Sequence, residues 1–161
     1  MAIIVLGLLA LGIYMTEFLS KEAPNRIEIY NLHKSFGILA LALILIRIIN
    51  RFYNKPPALP ITMPKLEILG AHFVHILLYI LMIIVPLSGY LMSNSFGFPA
   101  SFFGYEMPFL VEKNFDQGVI FSQTHKIGAY SLLAVVALHF LGALKHRFFD
   151  RPEHDVLKRM F

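Results

Sequence analysis

Three histidines, His125, His139 and His146, lie along one apolar stretch, FSQTHKIGAYSLLAVVALHFLGALKHR, from Phe121 to Arg147. A neutral imidazole can ligate a transition metal or carry a proton, so their spacing matters. At about 100° per residue, intervals of fourteen and seven return almost to the same helix face, and all three rings look into one interior. The first two stand about 21 Å apart along the axis, most of the hydrocarbon thickness of a bilayer. Gly128 and Gly142 each follow a histidine by three residues on that face, leaving room for a flat ligand. The pattern is the one expected of stacked metal–porphyrin sites. The competing reading is three polar side chains hydrogen-bonded between helices.

Further candidates lie upstream. His33 opens a second apolar stretch and shares a face with Gly37, one turn on. Arg47 follows His33 by fourteen residues, repeating the His125 to His139 interval and bringing a guanidinium to the opposite end of the same face. Arg47 there either snorkels to the membrane interface or serves as a haem-propionate or quinone-site partner. His72 and His75 stand at i, i+3 near the start of a third stretch, with Glu67 the one carboxylate nearby. Two ligands do not complete a metal site, so packing or hydrogen bonding is the preferred role for this pair.

These side chains need helices to position them, and the composition supplies membrane helices. The chain has 161 residues, 57% of them hydrophobic, and a mean hydropathy of +0.66. That is too apolar for an ordinary soluble domain. Cysteine is absent, which excludes disulfides, thiolate metal sites and covalent haem attachment through C-x-x-C-H. The net charge of +4 is modest, and the basic residues cluster beside apolar segments rather than forming a nucleic-acid stripe. We therefore expect an all-α membrane protein, a four-transmembrane-helix bundle in one domain over 1–161, with helices at about 2–19, 31–50, 66–92 and 121–147 and lipid as its surroundings.

The first segment, Ala2 to Leu19, has no charge before Glu17 and begins abruptly at Met1 without a basic or interfacial flank. The expectation is a start that is truncated or placed too late. Between the second and third segments, Arg51 to Lys65 is rich in proline and cannot continue a helix. Pro86 predicts a kink in the third helix, with Gly89 after it. From Ser93 to Gly118 aromatic residues are scattered among glycines and prolines, which suits a lid lying in the headgroup layer.

Positive charge sets the expected orientation. Arg47, Arg51, Lys55, Lys65, Lys145, Arg147, Arg151, Lys158 and Arg159 all flank one side, which the positive-inside rule places in the cytoplasm of a bacterial inner membrane with both termini. His33 and His125 then open their helices on the outer side at matching depth and can clamp one iron. His139 lies deep toward the cytoplasm, and its partner is expected from the start of the first helix.

The ordered set Asn31-Leu-His33-Lys-Ser-Phe-Gly37, Arg47-x-x-x-Arg51, His72-x-x-His75-x-x-x-Tyr79, Pro86-x-x-Gly89 and His125-x13-His139-x6-His146 resembles the bacterial dihaem cytochrome b561 family over nearly the whole chain. The resemblance implies two b-type haems: an outer one held by His33 and His125, and an inner one held by His139 and a histidine of the first helix. Here the first helix carries no histidine, which fits a start placed several residues too late, and His75, at a similar depth to His139, is the first alternative ligand. Two axial imidazoles leave iron no open position, so such centres relay electrons. By the same resemblance the protein would pass electrons from superoxide to ubiquinone, with Lys34 and Lys126 steering the anion and His146 hydrogen-bonding a quinone carbonyl. The lysines can equally be interfacial anchors. Other readings are an anchor subunit of a periplasmic hydrogenase or formate dehydrogenase, and a haem-free scaffold or transporter.

Overall fold

A computed structural model describes residues 1–54 and 62–150. Lys55 with the middle of the proline-rich connection, and Arg151, Lys158 and Arg159 of the basic tail, lie outside the described residues.

Among the described residues four helical segments follow one another: α1 (Ala2–Ile13), α2 (Arg26–Tyr53), α3 (Lys65–Ser95) and α4 (Phe115–Phe148). The α1 helix runs on into a wider π turn, Tyr14–Phe18. There the Thr16 hydroxyl reaches the carbonyls of Gly12 and Ile13, both at 3.2 Å, a side-chain bond that competes with the regular ladder. The last three helices, of 28, 31 and 34 residues, are long and apolar enough to cross a membrane. Ala2–Phe18 is apolar but shorter, about 25 Å at 1.5 Å per residue against a hydrocarbon core of about 30 Å. The architecture is a membrane helical bundle.

Helix ends follow local chemistry. Pro64 stands in an extended conformation (ψ 137°) as the residue before α3, with Glu67 in the first turn. The α4 helix starts at Phe115 rather than near Phe121 because Asn114 caps it, its Oδ1 accepting from the Gln117 N–H at 3.1 Å. Asp116 in the first turn and Lys145, His146 and Arg147 in the last complement the helix dipole. The α2 helix likewise begins at Arg26, before the expected Asn31, with the Arg26 guanidinium over the Tyr30 ring.

The α3 and α4 helices pack along most of their length, while α2 leans on α1 and α3. The core joins Val5 of α1 to Leu81 and Val85 of α3 and Leu132 and Val135 of α4. Large apolar side chains such as Ile46, Phe73, Ile80, Ile127 and Leu141 point outward. In lipid that outer surface is satisfied, since side chains there need no further burial.

One feature departs from an all-helical chain. Ser101–Phe102 and Tyr105–Glu106 form a two-stranded antiparallel hairpin. Its turn residues Phe103 (φ 48°) and Gly104 (φ 95°) are both left-handed, as a tight hairpin turn requires. The loop is bolted down. The buried Ser35 hydroxyl accepts from the Phe103 N–H at 2.9 Å and lies 3.0 Å from the Ser101 carbonyl. Tyr90 donates to the Pro108 carbonyl at 2.6 Å, and buried Asn94 accepts from the Leu110 N–H at 2.8 Å. The loop thus forms a cap over one end of the bundle.

Candidate functional site

Under this cap, α2 and α4 bring His33 and His125 together with ring centres 6.2 Å apart and planes at 85°. A metal–imidazole bond of about 2 Å puts two ring centres about 6 Å apart across a single metal ion, so the pair stands at the separation of two opposed ligands. His125 Nδ1 is 2.8 Å from the Val85 carbonyl, which can only accept. The proton is therefore on Nδ1, and Nε2 keeps its lone pair for a metal. His33 Nδ1 is buried and has no hydrogen-bond partner. A His33 ring with no hydrogen bond at its buried Nδ1, set beside a second imidazole, fits a ligand that would bind through Nε2 better than a hydrogen-bonded polar contact. A Cβ at Gly37 would meet nothing within 4 Å, and neither would one at Gly142, so open space does lie on these faces.

Gly128 plays a different part from the one expected of it. A Cβ there would come 3.0 Å from Val85 Cγ2. Its missing side chain lets α3 and α4 approach each other rather than making room for a ligand.

The three histidines of α4 share a face, and that face meets α3. His125 lies against Val85 and Gly89, His139 against His75, and His146 against Glu67. Only His125 also meets a histidine of α2. The His75 and His139 ring centres are 5.2 Å apart, closer than two opposed ligands of one metal, and their helices are tightly packed. His72 instead is exposed, and its ring nitrogen bonds the Ile68 carbonyl of its own helix at 2.8 Å. The i, i+3 pair is therefore split between an inward and an outward residue.

Cations gather at the His75 end. Arg51 and Arg47 both lie within electrostatic reach of His75, and the Arg51 guanidinium stands 5.6 Å over the Tyr79 ring. Arg47 itself is exposed near the end of α2. Close by, His146 Nδ1 is 2.6 Å from Asp150, while Lys145 bridges Glu67 and Asp150 at 2.5 and 3.1 Å. The hydrogen bond from His146, followed by that from Lys145, holds the Asp150 carboxyl below the usual carboxylate range.

At the capped end the two lysines differ. Lys34 is half-buried and donates to the Pro99 carbonyl at 3.2 Å, beneath the Phe98 ring. It holds the cap and does not present a free surface cation. Lys126 is exposed.

Sequence reasoning missed α3 as the common partner of the α4 histidines. Asp150 was available as a signal, four residues after His146 and so on the same helical face. The Val85 carbonyl carries no sequence signal at all.

Paired imidazoles between membrane-length helices, one with its tautomer fixed by a backbone carbonyl, define the class of non-covalent membrane haem proteins. A family model described as prokaryotic cytochrome b561 matches residues 1–161. The chain is 37% identical to "Cytochrome b561 homolog 2" of Escherichia coli (strain K12) over 161 residues, 99% of this chain and 84% of that protein. It is 33% identical to "Probable superoxide oxidase CybB" of Yersinia pestis over 118 residues, 73% of this chain and 66% of that protein. The chain belongs to the prokaryotic cytochrome b561 family, whose members bind b-type haem and carry out membrane electron transfer.

Proposed function

We propose that His33 and His125 would hold a b-type haem through which this protein passes electrons from superoxide, the donor, to ubiquinone, the acceptor. The observation that carries the reading is the 6.2 Å imidazole pair under the cap, with the proton of His125 fixed on Nδ1. A haem held by these two imidazoles would supply one-electron transfer, and substrate would not bind at the metal.

The chain's own residues do the rest. His33 and His125 hold the group and exclude a third ligand. The cap covers that end and limits contact to small or edge-on donors. His139 is the proposed ligand of a second haem toward the other end, with His75 its neighbour in α3. Arg47 and Arg51 are the proposed partners of propionate or quinone oxygens there. When protonated on both nitrogens, His146 can donate Nε2–H to a quinone carbonyl while its Nδ1–H bonds the Asp150 carboxylate, so the imidazolium is the group that can give up the proton quinone reduction consumes. Lys126 supplies positive charge beside His125, and the relative named as a superoxide oxidase supports an anionic radical as the donor.

Pyridine haemochromogen assay of the purified protein tests this directly. A b-type spectrum is expected in the wild type, and either His33→Ala or His125→Ala should remove at least one haem per chain. Full haem content and an unchanged spectrum in both variants would sink the ligand assignment.

A further inference from the structure

We infer that α3 sets the electron-donor strength of His125 through the Val85 carbonyl, and that Gly89 is the positioning residue that preserves this hydrogen bond. The inference rests on the reading of His33 and His125 as haem ligands. Donating the Nδ1 proton to a carbonyl gives the ring imidazolate character and makes Nε2 a better donor. A stronger donor favours the oxidised over the reduced metal, so the bond lowers the potential of the site.

The acceptor is fixed in space. Val85 is buried with Leu81, Leu132 and Val135, and its Cγ2 occupies the hollow at Gly128. The carbonyl therefore cannot follow the ring if the ring moves. Gly89 lies one turn beyond Val85 on the same face of α3, beside the imidazole. A Cβ at position 89 would fall 2.9 Å from both Cε1 and Nδ1 of His125. The atoms it meets belong to a rigid ring, not to the end of a flexible chain. Any side chain there must push the imidazole off the Val85 carbonyl. On the other side of the pair, His33 Nδ1 has no partner. The two ligands are thus unequal, and His125, through α3, carries the tuning.

The test uses the haem-loaded protein in detergent. Gly89→Ala is expected to raise the midpoint potential and shift the low-spin signal of the oxidised form in electron paramagnetic resonance. Gly70→Ala, the same change elsewhere on α3 where a Cβ meets nothing within 4 Å, is expected to alter neither. A Gly89→Ala protein that retains haem with both readings unchanged overturns the inference. Should that variant fail to accumulate, the wild type decides: in the reduced, diamagnetic protein the Nδ1 proton of His125 should be visible by nitrogen-15 NMR and exchange more slowly than that of His33. Equal exchange at the two rings overturns the inference. A wild type without haem overturns the functional reading, and this inference with it.

Discussion

At the scale of single residues, the two lysines that follow His33 and His125 have separate fates. Lys34 gives its ammonium to the Pro99 carbonyl, and Lys126 stays exposed. In the proposed reaction, anion steering would therefore fall to Lys126. Lys126→Glu should slow superoxide-driven quinone reduction roughly threefold to tenfold at low ionic strength and flatten its salt dependence, as expected for a steering charge. Lys34→Met should leave the salt dependence intact and loosen the cap. Stopped-flow rates across a salt series check both. The same residues show what could be read from the chain alone. The spacing of His125, His139 and His146 was legible, because helical period fixes a face wherever the helix sits. Which neighbour that face meets was not, since period carries no information about packing partners. Hence the Val85 carbonyl, the approach of Gly89 to His125 and that of Glu67 to His146 entered only with the fold, whereas His75 could be set near the depth of His139 by counting from the helix ends.

At the scale of elements, the long helices were legible from hydropathy, and the aromatic stretch after α3 as a connection, but not its hairpin or its limits, since α3 runs on to Ser95 and α4 starts at Phe115. Two strands of two residues leave no alternation to read. Instead the hairpin is held by contacts distant in sequence, chiefly Ser35 with Ser101 and Phe103 and the Phe36 ring against Phe103 at 5.4 Å. Ser35→Ala would remove the acceptor of the Phe103 N–H, a part-buried hydrogen bond worth about 1 kcal/mol. Hydrogen exchange should show lost protection at Phe103 while the α3 and α4 amides stay protected. The clasp at the other end responds to acid. Asp150 has its carboxyl held below the usual range by His146 and Lys145, so the folded state releases its proton more readily than the unfolded chain. That contribution is present above the unfolded pKa and is lost as pH falls through the lower folded value. Thermal melts of the solubilised protein should show an acid-side loss of stability, and Asp150→Asn should lack that portion of it.

At the scale of the whole molecule, the helices place the His33 and His125 pair at one end and the Arg47, Arg51, Glu67 and Asp150 cluster at the other. The proposed electron path has a direction only once that axis is set in the membrane. Basic residues flank the cluster end, which argues for its facing the cytoplasm, with the cap outside where superoxide would arrive. If so, Ser20, in the turn between α1 and α2, lies outside, and Asn54, at the end of α2, lies inside. Both are exposed, and the chain has no cysteine to mask a probe. In right-side-out membranes a single Ser20→Cys should react with an impermeant maleimide at once, while Asn54→Cys should react only after permeabilisation. The reverse pattern would put the cap in the cytoplasm. The anionic donor would then have to be generated there, and Lys126 would steer it from within.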